Sequence, residues 1–243
     1  MNVIVLPTYN ERENLRHALA RIREVADGHG VQLHTLIVDD NSPDGTGELA
    51  DQYAAELPDV SVMHRAGKEG LGKAYIAGFR EAMAMGADRI FEMDADLSHD
   101  ASYLPHFLRL IDQGADLVLG SRYVKGGGVE NWGISRKVIS RGGCLYAQAI
   151  LGLPLRDLTG GFKCFRRRVL EAIDLDGIDT AGYGFQIEMT YRVYKMGFKV
   201  VELPIIFVDR KVGESKMSND IVLEAMKNVW KLRFSRVPAR RPA

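Results

Sequence analysis

Short apolar runs alternate with helix-like segments through the first half of the chain, and this alternation constrains the fold more than any other feature. The predicted strands are residues 3–6, 33–38, 60–64, a run that begins at 87–90, and 117–121. The predicted helices between them are residues 13–26, a segment through 49–53, 74–85 and 103–113. Such alternation is typical of a mostly parallel sheet with helices on both faces. We therefore predict an α/β fold.

The second half of the chain is less regular. Residues 125–133 form a glycine-rich connection, residues 157–165 a turn into a strand, and residues 200–208 an extended segment. Further helices are predicted at 134–151, 185–196 and 221–234. A length of 243 residues suits one α/β domain, or at most two small ones. We predict a single domain over residues 1–234, followed by a basic tail over residues 235–243.

The composition argues against several classes of protein. The formal net charge of zero disfavours a nucleic-acid partner. Cys144 and Cys164 lack the spacing of a metal site or a disulfide framework, which favours a reducing compartment. No signal-like segment precedes the first strand, and no apolar run is long enough to span a bilayer, so we expect a cytoplasmic protein that can only lie on a membrane. The absence of G-x-G-x-x-G after the first strand and of a P-loop argues against dinucleotide binding and ATP hydrolysis.

Polar side chains follow the carboxyl ends of the predicted strands, where sheets of this kind bind ligands. They are Tyr9, Glu11, Asp39, Asp40, Asp94, Asp96 and Arg122. In extended backbone, residues i and i+2 point to the same side, so we expect Asp94 and Asp96 to reach one point. Such a carboxylate pair suits Mg²⁺ or Mn²⁺, with diphosphate oxygens completing the shell. A polar strand end without a ligand is the alternative, and residues 39–44 are interpreted equally well as a nucleotide site or as a helix cap.

Basic side chains become frequent later in the chain. They are Arg122, Lys125, Arg136, Arg141, Arg210 and Lys216. Each is open to interpretation as a solvated surface residue, except Arg122, which directly follows a predicted core strand. Arg210 and Lys216 share a glycine-containing loop, which is the composition of a lid that closes on phosphates. Glu188, on a predicted helix, is interpreted equally as a general base or as a structural carboxylate.

Six motifs occur in order along the chain. They are Pro7–Glu11 (PTYNE), Val38–Thr46 (VDDNSPDGT), Gly70–Gly72 (GLG), Met93–His99 (MDADLSH), Gly120–Tyr123 (GSRY) and Gly213–Lys216 (GESK). Together they resemble the family 2 glycosyltransferases, which have the Rossmann-like GT-A fold. Within that family the motifs look most like the polyprenol (dolichyl) phosphate mannose synthases. The resemblance covers nearly the whole chain.

The resemblance implies roles for individual residues. Donor binding is implied for Pro7, Tyr9, Glu11, Val38, Asp40, Asp94, Ala95, Asp96, Arg122, Arg210 and Lys216. A catalytic role is implied for Asp94, Asp96 and Arg122, and Asp96 would be the main ligand of Mg²⁺ or Mn²⁺, with Asp94 beside it. Binding of the acceptor phosphate is implied for Arg122, Arg136 and Ser140.

Two features depart from the pattern of the relatives. Some relatives carry Gln as a further metal ligand where this chain has Ser98, and we expect water to replace that ligand here. Many bacterial relatives append transmembrane helices, whereas this chain ends soon after Phe234, so we expect the short type with a catalytic domain only. Basic side chains near this end are expected to attract anionic lipid, unless they form only a solvated tail. They are Lys227, Lys231, Arg233, Arg236, Arg240 and Arg241.

The resemblance implies inverting, metal-dependent transfer of mannose from GDP-mannose to a polyprenyl (dolichyl-type) monophosphate. We expect the enzyme to bind peripherally to the cytoplasmic face of a membrane, and the participation of a separate small membrane-anchoring protein stays open. An anionic acceptor needs no strong general base. The alternatives are transfer of another sugar, such as glucose from UDP-glucose, to the same lipid, and transfer to a saccharide hydroxyl with Glu188 as the base. A nucleotide-sugar binding protein without turnover is the non-enzymatic alternative.

Overall fold

The computed structural model describes residues 1–178, 180, 182–209 and 219–235. Strands and helices alternate along the first half of the chain, as the hydrophobic pattern predicts. The elements are β1 (Asn2–Thr8), α1 (Arg12–His29), β2 (His34–Asp39), α2 (Thr46–Glu56), β3 (Val60–His64), α3 (Leu71–Ala84), β4 (Arg89–Glu92), α4 (Leu104–Asp112), β5 (Leu117–Ser121), β6 (Gly128–Glu130), α5 (Ile134–Leu151), β7 (Lys163–Arg166), α6 (Arg167–Ala172), α7 (Gly182–Lys195), β8 (Val200–Pro204), β9 (Ile206–Val208) and α8 (Asn219–Phe234). A 3₁₀ helix, Ala101–Tyr103, directly precedes α4.

Seven of these strands form one sheet in the order β3-β2-β1-β4-β7-β5-β8. The neighbouring pairs are parallel except at β7, which runs antiparallel to both β4 and β5. β6 and β9 form a separate parallel pair. The prediction of a mostly parallel sheet is therefore confirmed, with β7 as the exception. The carboxyl ends of β1, β2, β4 and β5 meet at one edge of the sheet, where the polar strand-end residues lie.

Helices cover both faces of the sheet, as predicted. Alternate residues of a strand point to opposite faces, and β1 illustrates the consequence. Val3 and Val5 are buried with residues of α3, α5, α6, α7 and α8. Ile4 and Leu6 are buried with residues of α1, α2 and α4. The sheet thus separates two apolar layers, and the edge that carries the polar strand-end residues lies between them.

The pattern locates most elements and misses three features. Predictions at 60–64, 117–121 and 134–151 match β3, β5 and α5. The glycine-rich connection contains β6, and the short helix α6 follows β7 directly, and neither of these was predicted. The predicted extended segment 200–208 is two strands, β8 and β9, which pair with different sheets. Short elements of this kind depend on partners that are distant in sequence, so local periodicity does not reveal them.

Candidate active site

A cavity of about 350 Å³ opens at the carboxyl ends of β1, β2 and β4. This is the edge at which open α/β sheets bind ligands. Seven of the predicted donor-binding residues line it: Pro7, Tyr9, Glu11, Asp40, Asp94, Ala95 and Asp96. Arg136, predicted to contact the acceptor phosphate, lines the same cavity. Tertiary structure therefore brings together residues that are separated by up to 129 positions in the sequence, the distance from Pro7 to Arg136.

The acidic cluster after β2 contributes one side chain to the cavity and uses two to hold its own loop. The buried Asp39 carboxylate accepts hydrogen bonds from Thr8 Oγ1 at 3.2 Å and from the Ser42 backbone N–H at 3.1 Å. Asp44 accepts the Thr46 backbone N–H at 3.0 Å at the start of α2. Asp40 instead lines the cavity. Asp39 and Asp44 therefore hold their own loop and the start of α2, whereas the role of Asp40 in a nucleotide site stays a prediction.

Asp40 lies in a charged pair at the cavity wall. Its carboxylate accepts a hydrogen bond from Arg65, which also pairs with Glu69 at 2.6 Å. Burial raises the pKa of Asp40, although the Arg65 guanidinium acts in the opposite direction. In the same lining, the Lys68 ammonium lies 3.9 Å from the ring centroid of Tyr9. An aromatic face, an ammonium group and a carboxylate thus line one end of the cavity.

Asp94 and Asp96 reach the cavity through a bend in the chain. β4 ends at Glu92, and Leu97 has a φ of +64°, so the assumption of extended backbone at 94–96 was wrong. Tyr75 donates its hydroxyl hydrogen to Asp94 at 2.7 Å, and Asp96 accepts the Ser98 backbone N–H at 3.0 Å. These hydrogen bonds hold both carboxylates at the same cavity, which is the outcome the sequence predicted for a different reason.

His99 stabilises this bend from the interior of the protein. It is buried, its ring stacks on Phe162 with the centroids 4.9 Å apart, and its Nδ1 accepts the Asp94 backbone N–H at 3.1 Å. Burial lowers the pKa of His99, which favours the neutral imidazole that can accept this hydrogen bond. The histidine is therefore a core residue that orients the segment carrying the carboxylates.

The carboxylate pair fits a divalent cation that shares its ligands with a substrate. Mg²⁺ usually binds one or two protein carboxylates and takes further oxygens from substrate phosphates and water. Among the described residues, no group of three or more His, Cys, Asp or Glu side chains is arranged to hold a metal ion. Asp94 and Asp96 both line the cavity, so they could supply two hard oxygen ligands to such a cation, and a diphosphate would supply the others.

Arg122 lies behind the cavity wall. Its side chain is buried, and its Nε and Nη2 donate to the Asp157 carboxylate at 2.7 Å each. Nη2 also donates to the hydroxyl of Thr159 at 2.8 Å, and Thr159 lines the cavity. Arg122 is absent from the lining itself, so its direct contact with phosphate stays a prediction. In the structure, the Arg122 guanidinium holds Asp157 and Thr159 in position, and Thr159 forms part of the cavity wall.

The remaining predicted residues fall in three places. Val38 is fully buried, and its side chain faces the close approach of Gly78, beneath the cavity. Ser140 accepts a hydrogen bond from the Tyr123 hydroxyl at 2.7 Å on the outer side of the Arg122 ion pair. Arg210 and Lys216 lie outside the described residues, so their predicted contacts are untested.

Arg136 enters the cavity from the first turn of α5. Its Nη1 donates to both oxygens of Asp209 at 2.7 Å, and its guanidinium lies 4.1 Å from the ring centroid of Trp132. The Nε of Arg136 and the indole Nε1 of Trp132 are buried and have no hydrogen-bond partner among the described residues. Buried N–H groups are nearly always paired, so two unpaired donors on one stacked pair indicate a place for an acceptor such as an anion.

α5 has two chemically different faces. Arg136, Ser140, Cys144 and Ala147 recur at helical spacing on the side that faces the protein. The opposite side carries Ile134, Val138 and Leu145, which are 82%, 65% and 53% exposed. α8, which packs against α5, has an equivalent exposed stripe of Met226, Trp230 and Phe234. No helix in the described part of the chain is long and apolar enough to cross a membrane.

Glu188, the candidate general base, is occupied elsewhere. Its Oε2 accepts the Thr180 hydroxyl at 2.8 Å, and its Oε1 accepts Arg192 Nε at 2.8 Å. It is buried and absent from the cavity lining. Of the two interpretations left open by the sequence, the geometry favours the structural one.

A buried network beneath the cavity was not predicted from the sequence. Residue pairing between β4 and β7 sets Glu92 opposite Lys163, with Nζ and Oε2 3.5 Å apart. Gln186 accepts a hydrogen bond from Lys163 and donates to Glu92 Oε1 at 2.7 Å, and it also lines the cavity. Burial raises the pKa of Glu92 to about 7, against the opposing charge of Lys163. The only sequence feature that pointed to this network was a lysine in a short apolar strand. Its role could not be inferred until the structure showed Glu92 as its partner.

Comparison with known proteins identifies the group to which this geometry belongs. The family model "Glycosyl transferase family 2" matches residues 3–174. An undecaprenyl-phosphate mannosyltransferase of Micrococcus luteus is 52% identical over 225 residues, covering 93% of this chain and 90% of the relative. A polyprenol monophosphomannose synthase of Mycolicibacterium smegmatis is 48% identical over 234 residues, covering 95% of this chain and 87% of the relative.

Solved structures share the fold at low sequence identity. A glucosyl-3-phosphoglycerate synthase from Mycobacterium tuberculosis, in complex with phosphoglyceric acid, has a TM-score of 0.68 at 16% identity, covering 96% of this chain and 79% of that chain. A mannosyltransferase from Pyrobaculum calidifontis, in complex with GDP-Man and Mn²⁺, has a TM-score of 0.61 at 17% identity, covering 96% and 70%. At these identities the likeness establishes the fold alone.

Proposed function

Because this chain belongs to glycosyl transferase family 2, we propose that it transfers mannose from GDP-mannose to a polyprenyl monophosphate, with inversion at the anomeric carbon. The relatives named as undecaprenyl-phosphate mannosyltransferase and polyprenol monophosphomannose synthase support both the sugar and the lipid acceptor. The observation that carries the proposal is a single cavity with paired carboxylates on the β4 side and Arg136 on the α5 side, whose buried Nε–H has no hydrogen-bond partner among the described residues.

The donor occupies the end of the cavity nearest β1 and β2 in this proposal. Tyr9 stacks on the base, while Glu11 and Asp40 accept hydrogen bonds from its polar edge or from the ribose. The diphosphate lies against Ala95, between Asp94 and Asp96. These two carboxylates would hold Mg²⁺ or Mn²⁺, which when bound offsets the negative charge that develops on the departing nucleoside diphosphate. Arg210 and Lys216, outside the described residues, are proposed as further contacts to the donor phosphates.

The acceptor approaches from the α5 side. An oxygen of the lipid phosphate forms the new bond to the anomeric carbon as the bond from that carbon to the diphosphate breaks, and GDP leaves. The guanidinium of Arg136 orients the acceptor phosphate and offsets its repulsion from the donor. Arg122 acts through Asp157 and Thr159 on the cavity wall, and Ser140 is the further proposed contact. No proton needs to be removed from an anionic phosphate, which agrees with the occupation of Glu188 by Thr180 and Arg192.

A lipid acceptor requires access to a membrane surface. The exposed Ile134 and Val138 flank Arg136 in sequence but lie on the opposite face of α5, so a bilayer against them would be one helix width from the acceptor end of the cavity. Residues 131–156 contain basic side chains and no Asp or Glu. Peripheral binding to an anionic membrane surface follows from this combination of apolar and basic residues.

A screen of donors and acceptors tests the proposal. The purified protein would be incubated with GDP-mannose or UDP-glucose, and with undecaprenyl phosphate in detergent or a soluble saccharide, each with and without a chelator. We expect transfer only from GDP-mannose to the lipid phosphate, and its loss with chelator. Transfer to the saccharide without transfer to the lipid would overturn the proposed acceptor. Binding of GDP-mannose without any transfer would favour the non-enzymatic alternative.

A further inference from the structure

A second cavity, of about 300 Å³, lies on the outer side of Tyr123 and is separate from the catalytic one. Its lining contains two arginines, a tyrosine, a glutamine and three apolar residues: Arg141, Arg156, Tyr123, Gln148, Leu145, Leu153 and Pro154. None of the described carboxylates lines it. The lining therefore combines positive and apolar side chains, which suits an amphipathic anion.

The two arginines of this cavity differ from most others in the described part of the chain. Arg65, Arg122 and Arg192, for example, each form an ion pair with a carboxylate. Neither Arg141 nor Arg156 forms an ion pair with a described carboxylate, and the guanidinium of Arg141 lies 5.4 Å from the Tyr123 ring centroid. An exposed guanidinium pair without a carboxylate is available to bind phosphate.

The loop that carries Arg156 is held in place. Glu202 accepts the backbone N–H of Arg156 at 3.0 Å and that of Asp157 at 2.9 Å. The Glu202 carboxylate thus accepts hydrogen bonds from the backbone and forms no ion pair with either arginine side chain. The Tyr123 ring lines the cavity on its protein-facing side. The buried guanidinium of Arg122 lies 5.2 Å from the centroid of the same ring. The cavity is bounded by groups whose positions are set by the fold.

The apolar side of the cavity continues into the exposed stripe of α5. Leu145 lines the cavity and shares its helical face with Ile134 and Val138. A soluble phosphate compound would leave this stripe in water. A membrane lipid has its phosphate next to acyl chains, so it would satisfy the arginines and cover the leucine together.

We propose that the cavity between Arg141 and Arg156 binds the phosphate of an anionic membrane lipid whose acyl chains lie along Leu145, Val138 and Ile134. The lipid is a docking ligand and is distinct from the acceptor. It holds the outer face of α5 on the bilayer while the inner face presents Arg136 to the catalytic cavity. The inference rests on the proposed function only in that both require a membrane surface.

Vesicle binding tests this inference directly. The full chain would be sedimented with phosphatidylcholine vesicles containing phosphatidylglycerol, and with vesicles of phosphatidylcholine alone. We expect Arg141→Ala/Arg156→Ala to weaken binding to the anionic vesicles by at least about tenfold. The matched control is Arg16→Ala/Arg109→Ala, which removes the same charge from α1 and α4, on the other face of the sheet. Equal loss in both double variants would show a general charge effect and overturn the site.

Further measurements separate the lipid site from other occupants. Arg141→Lys/Arg156→Lys is expected to retain part of the binding, and thermal unfolding of every variant checks the fold.

Mannosyl transfer to a short-chain polyprenyl phosphate in lipid-free detergent should keep its KM in the alanine double variant, and a raised KM would reassign the cavity to the acceptor. Displacement from vesicles by millimolar inorganic phosphate, or a dimer in solution that the variant abolishes, would also overturn the proposal. Lipid binding without any sugar transfer would leave this inference standing and remove the proposed function.

Discussion

At the scale of single residues, the neighbours of each acidic side chain decide what it does. Asp39 and Asp44 accept backbone N–H groups and hold loops, while Asp40 faces the cavity with Arg65 beside it. Glu188 is enclosed by Thr180 and Arg192. Residue type and position next to a strand were enough to nominate these carboxylates, whereas their hydrogen-bond partners distinguish the structural ones from those available to a ligand.

Asp96→Asn tests the proposed role of the carboxylate pair. We expect mannosyl transfer to fall by at least about 100-fold, the scale on which loss of one group facing a developing charge lowers kcat. Asn keeps an oxygen that can accept the Ser98 N–H, so the melting temperature should change little. The control is Asp27→Asn, the same change at the opposite edge of the sheet, where Asp27 lines a surface depression with Met1 and Asp88. Undiminished, chelator-sensitive turnover in Asp96→Asn would contradict the role in metal binding.

At the scale of secondary-structure elements, close approach of backbones determines how α3 packs on the sheet. A Cβ atom added at Gly78 would lie 2.3 Å from Val5 Cγ1 and 3.0 Å from Val38 Cγ2. Only glycine therefore allows α3 to lie this close to β1 and β2. The same helix contributes Tyr75, which donates to Asp94, so the packing of one helix sets the position of one of the two paired carboxylates at the cavity.

Gly78→Ala is expected to destabilise the protein by about 1–3 kcal/mol, the usual cost of inserting a methyl group into a packed core. The matched change is Gly143→Ala in α5, where an added Cβ has no atom within 4 Å. There the higher helix propensity of Ala should stabilise the protein by up to about 1 kcal/mol. Urea unfolding of both variants measures the free energies. A gain in stability for Gly78→Ala would contradict the close packing of α3 on the sheet.

At the scale of the whole molecule, the Arg122–Asp157 ion pair joins the end of β5 to the segment that leads into β7. Asp157 is fully buried and accepts the backbone N–H of Arg122 at 2.9 Å as well as its guanidinium. Burial alone would raise the pKa of Asp157, but the charge and hydrogen bonds of Arg122 prevail and lower it. A carboxyl whose pKa is lower in the folded state stabilises the protein above its unfolded-state pKa and loses this effect as pH falls through the folded value.

Asp157→Asn is expected to lower the free energy of unfolding at pH 7 by about 3–5 kcal/mol, because it leaves the buried charge of Arg122 unpaired. The unfolded-state pKa of Asp is about 3.9, so the difference from wild type should shrink below about pH 4. Urea titrations from pH 7 to pH 3 measure this change. The control is Asp176→Asn, which removes a surface pairing with Arg80 and should cost about 1 kcal/mol or less. A difference that stays constant down to pH 3 would contradict a lowered pKa of Asp157.

The sequence by itself determined the order of the main elements and the edge of the sheet at which the polar strand-end residues meet. Apolar runs such as residues 60–64 and 117–121 are local signals, because the period of a strand or helix is readable within a short window. Strand-end polar residues are local signals too, and a parallel sheet gathers them at one edge. That is why Tyr9, Glu11, Asp40, Asp94 and Asp96 were predicted together and line one cavity.

Only the tertiary structure decided which charged groups pair with one another. Arg122 is bound by Asp157, 35 residues away, and Lys163 meets Glu92 because β7 inserts antiparallel beside β4. The tertiary structure likewise decides which face of α5 is buried against the protein and which is exposed. A buried charged side chain is stable only beside an oppositely charged or hydrogen-bonding partner. That partner is usually distant in the sequence, so the local hydrophobic pattern cannot identify it.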